Sequence, residues 1–238
     1  MAIFVKIWYN SGTDMIIDDM KIDWEWVKES LLKKERIAPS AAGTILESAN
    51  NSIDRAKKMA VPRALLLKKS VLSISCDTIE LDGGVKLSGN SLSAYIKDAH
   101  DVYLFVVTIG SSIENEASEL MKSGESLSGY LLDRIGSFAV ESLAEGVEKR
   151  LRREYESKGN SVSMRFSPGY CDWPVEEQAK MDAMLDFSGI SVRITGSGMM
   201  VPKKSISGLI GIGHKDLFSK RKSQCSVCNM KSCDYRRS

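Results

Sequence analysis

Apolar and polar positions follow two different periods along this chain, and the switches between them mark the elements. Residues 23–35, DWEWVKESLLKKE, predict a short helix capped by Asp23, whose carboxylate can accept from the open first turn. Residues 40–60 predict a second helix that starts at Ser40, with Ile45, Ala49, Ile53 and Ala56 spaced by four and three. Three strand-like runs follow, Ala64–Leu67, Val71–Leu81 and Val85–Leu87, the last two joined through Asp82-Gly83-Gly84 as a hairpin. Residues 102–109, VYLFVVTI, are apolar without interruption, which predicts a central strand covered on both faces.

After Gly110 the period returns to that of a helix, over about 112–123 and then 126–157. In the longer helix Leu127, Leu131, Ile135, Phe138 and Ser142 line one stripe. Leu132, Ala139, Leu143 and Val147 line the next, so the apolar arc is wide and the helix belongs to the core. VEEQAKMDAMLDFSG predicts a further helix, after Pro174 and stopped near Gly189, and ISVRI (190–194) reads as a strand. TGSGMMVPKKSISGLIGIG reads as two strands about a turn near Pro202. Helices, strands, helices and strands without regular βαβ alternation predict an α+β fold. Its sheet should be twisted, mainly antiparallel and flanked by helices.

Composition changes this picture little. With 43% apolar and 27% charged residues, the 238-residue chain has the makings of an ordinary core. No apolar run reaches the roughly 20 residues that a bilayer requires. MAIFVKIWYN lacks the features of a signal peptide, which predicts a cytoplasmic location. Charge is uneven: from His214 to Ser238 seven Lys/Arg stand against two Asp, a net of +5. The reading is therefore one α+β domain over residues 1–213 and a basic, Cys-rich tail over 214–238.

The stretch RFSPGYCDWP (165–174) carries candidate chemistry. Pro168 fixes its backbone, and Gly169 leaves room for a ligand against the chain. Arg165 can grip a carboxylate through two hydrogen bonds, and Tyr170 and Trp173 offer ring faces. A zwitterionic ligand with an aromatic base would suit this set. A plain Pro-Gly turn with its aromatics in the core suits the same residues.

RFSPGYCDWPVEEQ resembles the Arg-x-x-Pro-Gly-Tyr motif of the activation domain of cobalamin-dependent methionine synthase. MMVPKKSISGLIG is similar to that family's Met-x-Pro segment ending in Ser-Gly. LFVVTIGSSIE is similar to its strand and Thr-x-Gly turn, and FAVESLAEGVEKRLRREY to its long helix. The four matches run in order from about residue 100 to 213. The family carries a tyrosine-rich stretch where LIGIGHKDLF stands here.

The resemblance implies S-adenosylmethionine as cosubstrate and cobalamin on a partner protein. It implies no catalytic side chain. Arg165 would hold the ligand carboxylate, and Ser167, Pro168, Gly169 and Tyr170 would lie against adenine and ribose. Glu141 aligns with a ligand-binding acid of the family. By spacing alone Glu141 sits with Arg134, Glu145 and Arg152 on a polar helix side, as a solvated or ion-paired residue would. Asp23, in KIDWEW, matches an Asp-Trp near the start of the family domain, and a helix cap explains it equally. The partners implied are a corrinoid-binding methyltransferase or methionine synthase modules, acting in trans, and a flavodoxin- or ferredoxin-like electron donor. The alternative is a non-catalytic binding or scaffold module that has lost the ligand.

Cys225, Cys228 and Cys233 are close enough to share a metal, as zinc or an iron–sulfur cluster, with Cys171 or His214 as fourth ligand. A reduced, flexible tail is the other reading. Nucleic acid ranks last among partners, because Tyr235 is the tail's one aromatic after Phe218. No phosphate loop or nucleophile elbow is present, which removes the kinase and hydrolase readings.

Overall fold

The computed structural model describes residues 7–10, 14–17, 20–36, 43–218 and 228. Two strands open the chain, β1 (Ile7–Asn10) and β2 (Asp14–Ile17). Helix α1 (Trp24–Lys34) follows, and the Asp23 carboxylate caps it by accepting from Trp26 N–H at 3.0 Å. Val27 and Leu31, one turn apart, are its buried residues. In α2 (Gly43–Met59) Ala49, Ile53 and Ala56 are buried as their spacing predicts, while Ile45 is exposed.

Next come β3 (Arg63–Ile74), β4 (Thr78–Leu81), β5 (Lys86–Ser88), the short helix α3 (Asn90–Tyr95) and β6 (Asp101–Thr108). Helices α4 (Ser112–Lys122) and α5 (Ser126–Glu156), β7 (Asn160–Val162) and α6 (Glu177–Leu185) follow. After a 3-10 turn at Phe187–Ile190, strands β8 (Arg193–Ile194), β9 (Met200–Val201) and β10 (Ser205–His214) close the described fold.

The main sheet has the order β1-β2-β3-β6-β10-β7, with every neighbouring pair antiparallel. β4 and β5 extend the far end of β3. β6 is central, and its residues after Asp101 are all buried. Alternation along the strands divides the core in two. Ala64, Leu66, Phe105, Val107, Ile210 and Ile212 face α1, α2, α4 and α5. Leu65, Leu67, Leu104, Val106 and Leu209 face α3, α6 and the 3-10 turn. The architecture is the mixed, antiparallel one that the order of elements predicts.

The structure also differs from the pattern reading elsewhere. β3 is one strand, because Lys68–Ser70 continue its pairing with β6 before a bulge between Val71 and Ser73 hands it to β4. The expected helix at 175–189 begins at Glu177, after three-residue turns from Pro174, Val175 and Glu176, and ends at Leu185. Asp186 ends it in the left-handed conformation, φ 50°, and Asp182 accepts from Phe187 N–H at 2.9 Å. That leaves only Arg193–Ile194 of the expected 190–194 strand. Leu127 is exposed, so the apolar stripe of α5 starts at Leu131.

Candidate functional site

The site is built where an edge strand stops short. β7 pairs with Ile212–His214 of β10, and the chain then continues along the same edge. Ser163 N–H donates to the Gly211 carbonyl at 2.9 Å, and its hydroxyl accepts from Gly211 N–H at 2.8 Å in place of a carbonyl. Phe166 and Leu209 then exchange both main-chain hydrogen bonds at 2.8 Å. Beyond that rung the chain turns away, and the outer edge of β10 opens at Ser205–Ser207. By the alternation of an antiparallel ladder, the main-chain groups of Ser207 point the same way as those of Leu209, away from β6.

Gly208 makes this rung possible. A Cβ there would stand 2.8 Å from the Phe166 carbonyl and 2.9 Å from the Phe105 ring. Phe166 itself is fully buried beside Trp173, with ring centroids 6.0 Å apart.

The turn that follows is the Pro-Gly bend. Tyr170 N–H donates to the Ser167 carbonyl at 3.1 Å, with Pro168 at the second position and Gly169 at the third at φ +87°. That is the pattern of a type II turn, in which the third position favours glycine. The rest of the loop is fixed in turn: Trp173 N–H donates to the Tyr170 carbonyl at 3.1 Å, and Gly169 N–H donates to the Trp173 carbonyl at 2.8 Å. The two aromatic side chains that the sequence offered as ligand faces part company here. Tyr170 is 49% exposed, whereas Trp173 is 1% exposed and fills the core. Trp173 is therefore not a ligand face.

One residue without a sequence-derived role also gains one. Asp172 accepts from Ser91 N–H at 2.9 Å and so ties the loop to the start of α3. Burial alone would raise its carboxyl, but hydrogen bonds from Ser91 and Asn90 outweigh that and hold it below the ordinary aspartate value. Cys171 adopts φ 54°.

Arg165 faces α5 and meets two carboxylates. One guanidinium nitrogen donates to Glu148 at 2.7 Å, and another donates to Glu141. Both acids lie on one stripe of α5, seven residues apart. The side chains of Arg165 and Glu148 are 15% and 10% exposed, that of Glu141 36%. Burial pushes the Glu148 carboxyl up, and Arg165 offsets only part of that. Burial would lower Arg165, but Glu141 and Glu148 more than compensate and raise it. Two carboxylates against one guanidinium leave the trio with one formal negative charge.

The polar grouping expected for Glu141 is resolved differently: Arg134 pairs with Glu35, Glu145 with Lys149 and Arg152 with Glu156.

Glu141, Arg165, Ser167, Pro168 and Tyr170 line a single cleft of about 150 Å³. Gln178 of α6 and Met200, Ser205, Ile206 and Ser207 complete it. Gly169 shapes the loop without lining the cleft. Asp23 lies elsewhere, as the cap of α1, although its N–H donates to Ser142 next to Glu141 at 2.9 Å. The residues missed by sequence reasoning are Glu148, Gln178 and the start of β10. Each lies in a segment quoted for its family resemblance, but neither the resemblance nor the spacing gave it a role. A larger cavity of about 700 Å³ opens beside β7, lined by Arg152, Asn160, Met164 and Phe218 among others, and holds none of the predicted ligand residues.

Cys225 and Cys233 lie outside the described residues, and Cys228 is half-buried. His214 lies against His100, with ring centroids 5.4 Å apart and the planes tilted by 45°. Among the described residues no three His, Cys, Asp or Glu side chains are placed to hold a metal ion. No helix among them is long and apolar enough to cross a membrane.

An antiparallel sheet covered by helices on both faces, with an Arg-Pro-Gly-Tyr turn at the open edge of its last long strand, defines an activation-domain-like class of protein. Residues 85–219, more than half of the chain, match the family described as vitamin B12 dependent methionine synthase, activation domain. The chain belongs to that family. A crystal structure of the MetH reactivation domain bound to AdoHcy has the same fold, with a TM-score of 0.60 and 20% identity. The superposition covers 82% of this chain and 74% of that one. No curated protein matches the chain.

Proposed function

We propose that this protein binds S-adenosylmethionine in the cleft between α5, the 165–170 turn and the start of β10. There it supports the reductive remethylation of a corrinoid-dependent methyltransferase in trans. The observation that carries this reading is the convergence of Glu141, Arg165, Ser167, Pro168 and Tyr170 on one cleft in a chain of the activation-domain family.

The chemistry fits the cleft in two respects. S-adenosylmethionine has one carboxylate, one ammonium and one sulfonium, a net of +1, which complements the negative charge of the Arg165 trio. The cleft of about 150 Å³ is smaller than the roughly 300–1,000 Å³ that encloses a drug-sized ligand. Such a site holds its ligand on one side and leaves the other open, as transfer to an external acceptor requires.

An electron donor of the flavodoxin or ferredoxin kind would supply the reduction. The reduced corrinoid then attacks the sulfonium methyl carbon with its electron pair, the carbon–sulfur bond breaks, and S-adenosylhomocysteine leaves. This protein's own residues bind, orient and exclude water from one side.

The test is calorimetric titration with S-adenosylmethionine. Saturable binding that weakens in Tyr170→Ala and Glu141→Gln is the expected result. Absence of binding to the folded wild-type protein overturns the reading.

A further inference from the structure

The cleft reaches both faces of the sheet. Glu141 and Arg165 stand on the side of α5, which packs on one face, and Gln178 belongs to α6, which packs on the other. Gln178 is only 4% exposed. Its main-chain N–H donates to Val175, but among the described residues its side-chain amide has no hydrogen-bond partner. The amide atoms are not among the buried side-chain atoms that lack a partner, so they keep an opening onto the cleft that Gln178 lines. A donor and an acceptor that reach the cleft and no protein group are free to pair with a ligand. Half-buried Met200 and Ile206, with Pro168, supply apolar walls beside the amide.

We infer that Gln178 reads the adenine edge of the ligand and so fixes which way round it lies. This rests on the reading of the cleft as an S-adenosylmethionine site. A primary amide presents a donor and an acceptor side by side, and adenine offers the complementary pair, its exocyclic amine and an adjacent ring nitrogen. The sulfonium amino-acid end then falls to Glu141 and Arg165 on the other flank of β10. Gln178 acts as a specificity-determining residue and takes no part in methyl transfer.

The experiment uses half-ligands on the full chain. Adenosine carries the base without the amino acid, and S-methylmethionine carries the sulfonium amino acid without the base. Each is titrated in competition with S-adenosylmethionine against wild type, Gln178→Leu, Gln178→Glu and Glu141→Gln. The Glu variant keeps the shape of the side chain should the Leu variant fail to fold.

Gln178 variants should weaken S-adenosylmethionine and adenosine on the order of tenfold and leave S-methylmethionine unchanged. Glu141→Gln should weaken S-methylmethionine and leave adenosine unchanged. If wild type binds S-adenosylmethionine and both Gln178 variants bind it equally well, this inference falls and the binding reading stands. Equal losses for both half-ligands in a Gln178 variant also overturn it. If wild type does not bind S-adenosylmethionine, the reading of the cleft fails first.

Discussion

Arg165 and Glu148 form an ion pair at 2.7 Å with both side chains largely withdrawn from water. Glu141 joins from the solvent side, so the arginine that carries the family motif is anchored from within the protein. Its task at the site is thus coupled to the packing of α5 against the sheet edge.

Glu148→Ala should therefore act on stability. Removing one partner of a buried pair leaves the other charge stranded, at about 3 kcal/mol here, the low end because Glu141 still faces the guanidinium. Denaturant unfolding should show a lower midpoint with an unchanged slope.

Glu141→Gln should act on ligand choice. It removes the formal negative charge that complements a sulfonium. Affinity for S-adenosylmethionine should fall roughly tenfold, a charged hydrogen bond's share, and affinity for S-adenosylhomocysteine, which keeps the zwitterion but lacks the sulfonium charge, should fall less. Titrating both ligands measures the ratio.

Tyr170 and Trp173, three residues apart, should behave oppositely. Trp173→Ala empties a fully buried site and should cost about 3–5 kcal/mol. Tyr170→Ala should change stability by less than about 0.5 kcal/mol, as for other exposed positions. It should nonetheless weaken S-adenosylmethionine several-fold. Melting curves and calorimetry on the two variants separate the roles.

Gly208→Ala tests the rung beneath the site. The added methyl would press on the Phe166 carbonyl and the Phe105 ring, which should cost about 1–3 kcal/mol as overpacking does. Because Phe166 adjoins Arg165 and Ser167, ligand affinity should fall with stability.

Asp172→Asn tests the tie to α3. Asp172 is held below its ordinary value of 3.8, so its charge adds stability above that pH, and the contribution is lost as pH falls through the lower folded value. The wild-type and Asn proteins should therefore differ in melting temperature at pH 7 and converge as pH falls through the lowered folded value. The difference should stay under about 1 kcal/mol, because Asp172 is solvent-exposed and screened.

How much of this was legible in the sequence depends on the range of the interaction. The eight-residue apolar run of β6 and the Asp23 cap are local signals, and both were read correctly. The fate of Trp173 was not local. A ring can offer its face to a ligand or to Phe166, and only the placement of Phe166 across Gly208 decides. Glu141 showed its helix face but not its partner, since the choice between Arg165 and the Arg134 or Arg152 of its own helix depends on how α5 lies over the sheet. Gln178 ends the segment RFSPGYCDWPVEEQ, but nothing local marked it as buried, because its burial depends on how α6 packs against the sheet.

The rung between Phe166 and Leu209 is the last on its edge, and Ser163 has already spent a hydroxyl to keep the preceding one in register. Fraying in a sheet starts at such ends. Loss of that rung would release Arg165, Ser167 and Tyr170 together while the remaining strands stayed paired. Amide exchange at Phe166 and Leu209 would thus time the lifetime of the assembled cleft, and a ligand that bridges α5 and α6 would slow it from the far side of the gap.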